Sequence, residues 1–164
     1  MRRALAFLFP ALFATACQSG LDDARPSPDL DVAYYRCRVQ PVLVKSCGAF
    51  ACHGDGRRFF HVFGRNRMRA QGVEKDRNAA LTQVELQANY DAARALVDPA
   101  SPGTSLLLMK PLDARAGGSF HRGGEIFGGG NVFLAREEAD FKTLVAWTNG
   151  TKEDPTCVEP GSDQ

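Results

Sequence analysis

The chain has 164 residues, 44% of them hydrophobic and 24% charged, with 20 Lys and Arg against 19 Asp and Glu for a formal net charge of +1. That length suits one domain and is enough to bury a real core. A charge so nearly balanced leaves no footprint for nucleic acid, and the absence of a Gly-x-Ser-x-Gly elbow, a His-Glu-x-x-His pair and a phosphate loop gives no constellation for hydrolysis.

Residues 1–16 read as a lipoprotein signal peptide: Arg2 and Arg3 precede the apolar run Ala4 to Phe13, and Ala14-Thr15-Ala16 stands before Cys17. A cysteine directly after small residues resembles a bacterial lipobox, with Ala14 where leucine is more usual, and makes Cys17 the lipid-modified N-terminus; plain secretion is the alternative. The apolar run is too short to remain as a spanning helix, so anchoring comes from acyl chains. Gln18 after the cysteine is compatible with outer-membrane sorting. The expected location is the cell envelope, lipid-anchored, with the outer membrane favoured and the domain facing the periplasm or the surface. Residues 17–31 form a lipid-anchored flexible linker with little apolar content, residues 32–158 the folded domain, and residues 159–164 a disordered tail.

Asp31 to Ser46 predicts a helix, with Tyr35, Val39, Val42 and Leu43 near helical spacing. Pro41 lies inside it, and a proline there kinks the helix or makes it restart. The helix delivers Cys47-Gly48-Ala49-Phe50-Ala51-Cys52-His53, two thiols closed by a histidine. This resembles the haem attachment site of cytochromes c in a lengthened form, with four residues between the cysteines where two are usual. On a helix, cysteines five apart point about 140° away from each other, so Gly48 to Ala51 must loop out to bring both sulfurs to one haem edge. His53 is then the proximal iron ligand. The same residues also read as a Cys47–Cys52 disulfide beside an incidental histidine, or as a metal or free-thiol site.

Gly54-Asp55-Gly56 turns the chain. Thr82-Gln83-Val84-Glu85 fits a capping box for a helix running to about Val97, before Pro99. Ser105 to Lys110 is a short apolar run, taken as a helical turn or two. Gly117 to Gly130 is glycine-rich and irregular, and holds Phe120, His121 and Phe127. A last helix from about Arg136 to Thr148 places Phe141, Leu144, Val145 and Thr148 on one face, ended by Gly150. No alternating run predicts a strand, so the fold class is mainly α: a helical domain with long irregular loops, after a signal peptide and short linker.

This order of elements resembles the cytochrome c fold, and more closely the small c-type haem modules of planctomycete and myxobacterial exported proteins. The matching segments are Val39-Gln40-Pro41-Val42-Leu43, Cys52-His53-Gly54, the stretch from Leu96-Val97-Asp98-Pro99 to Ser105-Leu106-Leu107, and Trp147-Thr148-Asn149-Gly150. Together they cover roughly residues 33 to 150. The departures are the longer cysteine spacing and the lack of a Met-Pro pair before the last helix.

The resemblance implies a c-type haem-binding electron-transfer lipoprotein carrying one covalent haem c, with Cys47 and Cys52 as thioethers and His53 on the iron. Its partners are redox proteins of the envelope and, through the N-terminal lipid, the membrane; no small-molecule substrate is evident, and the protein is an electron carrier rather than an enzyme. His121, within Phe120-His121-Arg122-Gly123-Gly124, stands where the distal ligand is expected. Met109 is the second choice, His61 and Met68 follow, and an open sixth site that would permit catalysis is the remaining option. Phe50, Phe59, Phe60 and Phe63 are available as haem walls or ordinary core. Arg57, Arg58, Arg65, Arg67 and Arg69 could meet propionates or an acidic partner, or form a solvated surface. Trp147 reads as core. With Cys17 lipidated and Cys47 and Cys52 on haem, Cys37 and Cys157 remain to form a disulfide. The rival reading is a haem-free envelope lipoprotein, a binding or structural module stapled by Cys47–Cys52 and Cys37–Cys157 bridges.

Overall fold

A computed structural model describes residues 28–72, 76–122 and 131–153. The expected signal peptide, Cys17, most of the expected linker, Cys157 and the expected tail at 159–164 therefore lie outside the described residues. The described part is mainly helical with no strands, its only β pairings being isolated bridges between Phe63 and Met68 and between Leu112 and Phe133. No helix in it is long and apolar enough to cross a membrane.

The first helical stretch starts where Asp31 caps α1 (Val32–Tyr34), its carboxylate accepting the Tyr34 N–H at 2.6 Å. It continues through a π turn (Tyr35–Val39) into α2 (Gln40–Ser46), so Pro41 falls in the first turn of a restarted helix. There its missing N–H leaves no bond broken. Of the two outcomes expected for Pro41, restart is the one found, with the wider π turn making the junction. Tyr35, Val39, Val42 and Leu43 are all buried, as their spacing predicts.

α3 (Gln83–Arg94) begins at the expected capping box. It ends three residues early: Leu96 and Val97 donate instead to Ala93 and Arg94, closing a tight final turn. Pro99 disfavours helical geometry at Asp98, which is reason enough for the chain to leave the helix there. α5 (Ala139–Thr148), the last helix, starts at Ala139 rather than Arg136, because the Glu138 carboxylate folds back to accept the N–H groups of Leu134 and Ala135. It closes as expected, with Gly150 at φ +81°, its N–H on the Trp147 carbonyl and that of Thr151 on Ala146.

Three aromatic rings join these helices. Tyr35 lies 5.4 Å from Tyr90 of α3 and 5.1 Å from Trp147 of α5, and Tyr90 and Trp147 are 6.0 Å apart. Their polar atoms secure the chain where it enters α1: Tyr90 Oη donates to the Leu30 carbonyl at 2.6 Å, and Trp147 Nε1 to that of Asp31 at 2.9 Å. Trp147 is fully buried and structural, as its sequence context suggests.

The long segment between α2 and α3 has little secondary structure and is held by side chains. Asn89 of α3, 1% exposed, receives the Phe63 N–H at 2.8 Å and donates to the Phe63 carbonyl at 2.9 Å. Asn89→Ala strands both backbone groups and is expected to lower stability by about 1–3 kcal/mol, read from urea unfolding. A change under about 0.5 kcal/mol would show that the loop finds other partners.

Candidate functional site

The helix ends at Ser46, and Cys47 is its C-cap. From there the chain leaves helical geometry. A loop closes with the His53 N–H on the Cys47 carbonyl at 3.0 Å, braced inside by Cys52 and Gly54 both donating to Ala49, at 2.8 and 2.9 Å. Cys47 is buried, Cys52 half-buried, and both are free thiols. The Cys47–Cys52 bridge of the rival reading is thus absent from this structure. Burial first, and then the neighbouring Cys52, push the Cys47 thiol up to about 12. At neutral pH it is protonated, and therefore poor as a nucleophile or thiolate ligand.

His53 projects from the end of this loop with Nδ1 2.7 Å from the Phe60 carbonyl. A carbonyl only accepts, so Nδ1 carries the proton and Nε2 keeps its lone pair, the arrangement found in metal-bound imidazoles. Across from it stands His121, its ring within 7° of parallel and its centroid 5.9 Å from that of His53. The two rings are stacked in parallel at that separation. Burial lowers the pKa of both rings; for His121 the neighbouring His53 and Lys110 lower it further. Both are neutral at neutral pH and available as ligands. His121 Nδ1 is buried and has no hydrogen-bond partner among the described residues.

Both histidines and Cys47 line one cavity of about 430 Å³, within the range of cofactor sites. One apolar wall comes from the segment that carries the resemblance. The Asp98 N–H donates to buried Ser105 Oγ at 2.9 Å and the Leu107 N–H to the Leu96 carbonyl at 3.3 Å. This folds Leu96, Leu106 of α4 (Leu106–Met109) and Leu107 onto the cavity. The His121 segment is tied to the end of α4 by the Ser119 N–H on the Met109 carbonyl at 2.7 Å and Lys110 Nζ on the Phe120 carbonyl at 3.1 Å. Phe59 and Phe120 also line the cavity yet are 93% and 65% exposed, forming an apolar rim. Arg58, Lys110 and Arg122 lie among these apolar residues, three cations where acidic substituents could be met.

The other sequence candidates lie elsewhere. Met109 and Met68 do not line the cavity, and neither does His61, which has Nδ1 3.3 Å from the Arg58 carbonyl and its ring against Phe63. Cys52 is not on the cavity wall either. Of the four phenylalanines considered as walls, Phe59 and Phe60 serve; Phe50 is half-exposed beneath the Arg77 guanidinium, and Phe63 is off the cavity. The arginine cluster is not one surface. Only Arg58 reaches the cavity, Arg57 pairs with Asp55, and Arg69 is buried on Glu85. Cys37 is disulfide-bonded, and its expected partner Cys157 lies outside the described residues. Lys110 and Arg122 were missed; a cation closing the apolar run 105–110, and another following His121, were the available signals.

No group of three or more His, Cys, Asp or Glu among the described residues could hold a bare metal ion. Comparison with family models, with curated proteins and with solved structures finds no match for this chain.

Proposed function

We propose that this is a c-type haem-binding electron-transfer domain of the bacterial cell envelope, anchored by lipid at Cys17 and carrying one covalent haem c. The observation that carries the reading is the pair of parallel imidazoles, His53 and His121, 5.9 Å apart across an apolar cavity beside Cys47. Cys47, His53 and His121 line the cavity while Cys52 stands off it; in this reading Cys47 and Cys52 would form the thioethers, His53, its tautomer set by Phe60, would be the proximal ligand, and His121 the distal one. Haem c supplies one-electron iron chemistry when bound. The chain's part is to tether it, to hold a neutral imidazole on each face and to keep water away with Leu43, Leu96 and Leu107. Arg58, Lys110 and Arg122 would receive the propionates. Two histidine ligands favour a lower potential than histidine with methionine, and redox proteins of the envelope are the partners this implies.

The haem-free, disulfide-stapled module is the reading from another class. The free thiols of Cys47 and Cys52 and the apolar rim at Phe59 and Phe120 weigh against it.

Expression with a haem c maturation system, followed by a pyridine haemochrome spectrum and an intact mass, separates the two. The expected result is one added haem, absent from Cys47→Ser/Cys52→Ser. A protein with no haem band and a Cys47–Cys52 disulfide would overturn the proposal.

A further inference from the structure

The two histidines are held unequally. His53 is fixed on several sides: Nδ1 on the Phe60 carbonyl at 2.7 Å, the Phe60 ring at 4.9 Å, its N–H on the Cys47 carbonyl at 3.0 Å and its own carbonyl receiving Val62 N–H at 2.7 Å. It also follows Cys52 directly in the chain. His121 has no such backing, since its buried Nδ1 finds no partner among the described residues. The nearest bonds restraining it are on neighbours, at Ser119 N–H and the Phe120 carbonyl. An outer partner on the second ring nitrogen fixes a metal-bound imidazole and makes it a better donor, and losing one weakens metal affinity about 10- to 100-fold.

From this asymmetry we infer that His121 is a displaceable ligand and that a small diatomic molecule can take its place on the iron while His53 remains. The inference rests on the haem reading above. The cavity that His121 lines is also lined by Leu106, Leu107, Phe120, Lys110 and Arg122. With carbon monoxide as the probe, the iron–nitrogen bond to His121 breaks and an iron–carbon bond forms. The iron stays ferrous, and no proton or electron is transferred.

The experiment uses the haem-loaded protein, reduced with dithionite and mixed with increasing carbon monoxide while the Soret band is followed. The expected native rate rises and then levels off with carbon monoxide concentration, because departure of His121 becomes limiting. In His121→Ala the plateau disappears and binding at high carbon monoxide is faster by about tenfold or more. His121→Met, a replacement ligand, is the second variant should the alanine form lose haem, and the native plateau by itself already reports an internal ligand leaving. A native spectrum unchanged under saturating carbon monoxide would overturn the inference by showing His121 firmly bound. Native and variant rates that are equal and never saturate would overturn it by showing that His121 is no ligand. A preparation without haem, seen before any gas is added, would instead remove the haem reading, and the inference with it.

Discussion

Glu85→Ala is expected to destabilise the fold by about 3–5 kcal/mol, because it leaves the Arg69 charge buried without its counter-ion. Both side chains are almost wholly inaccessible, at 1% for Arg69 and 0% for Glu85. The Glu85 carboxylate accepts from Arg69 Nε at 2.9 Å and Nη2 at 3.0 Å, from the Ala70 N–H at 2.8 Å and from the Thr82 N–H at 2.9 Å. Arg69 in turn donates to the carbonyls of Asp76, Ala79 and Ala80. One carboxylate therefore holds the α3 N-terminus and the preceding loop together. The paired change Arg69→Met/Glu85→Leu removes both charges and is expected to cost less than Glu85→Ala alone, as read from urea midpoints. If the single variant unfolds at the native midpoint, the pair does not hold the loop.

The same group sets an acid limit. Burial alone would raise the Glu85 pKa, but the hydrogen bonds from Arg69, Ala70 and Thr82, with the Arg69 charge, outweigh it and hold the group at about 2 against an ordinary 4.5. A depressed folded pKa contributes stability that is complete above the unfolded value and is lost as pH falls from about 4.5 towards about 2. Glu85→Gln, which has no such proton to take up, is expected to lose less stability over that window than the native protein.

Gly54→Ala is expected to reduce covalent haem loading sharply, with a loss of about 1–3 kcal/mol or more from overpacking. A Cβ at residue 54 would stand 2.3 Å from the Gly48 carbonyl oxygen and 2.9 Å from the Ala49 carbonyl carbon and oxygen. All three are backbone atoms and cannot rotate aside. Room for the methyl has to come from opening the loop between Cys47 and His53, which displaces the thiols and the His53 imidazole together. The check is the haem-to-protein ratio after maturation, with far-UV circular dichroism to show that the helices persist. Normal loading would mean that the loop is free to rearrange and that its closed form is not required for attachment.

Local patterns in the sequence carried much of the helical part. The capping box at Thr82 and Glu85, the apolar face of the last helix and the glycine that ends it depend on neighbours within a few residues, and each is found where its spacing places it. The departure of Gly48 to Ala51 from helical geometry was also expected, to bring both sulfurs to one edge; of the two cysteines, only Cys47 lines the cavity. What stayed hidden depends on distant partners. Glu85 was readable as a capping residue but not as the counter-ion of Arg69, sixteen positions earlier in a loop without periodicity. Of the five arginines grouped by sequence, three have quite different settings: Arg58 lines the cavity, Arg57 pairs with Asp55 on the surface and Arg69 is buried on Glu85. The approach of His121 to His53 has no local signature at all; only the order of segments, through the resemblance, suggested it.

The π turn at Tyr35–Val39 carries a consequence for direction. One additional residue in a helical turn advances everything after it by about 100° around the axis. Before the turn, α1 leads into the ring contacts of Tyr35 with Tyr90 and Trp147; after it, α2 presents Leu43 and Cys47 to the cavity. The two ends of one rod are thereby clocked independently, and shortening the turn by one residue would leave the aromatic junction in place while aiming Cys47 away from its cavity.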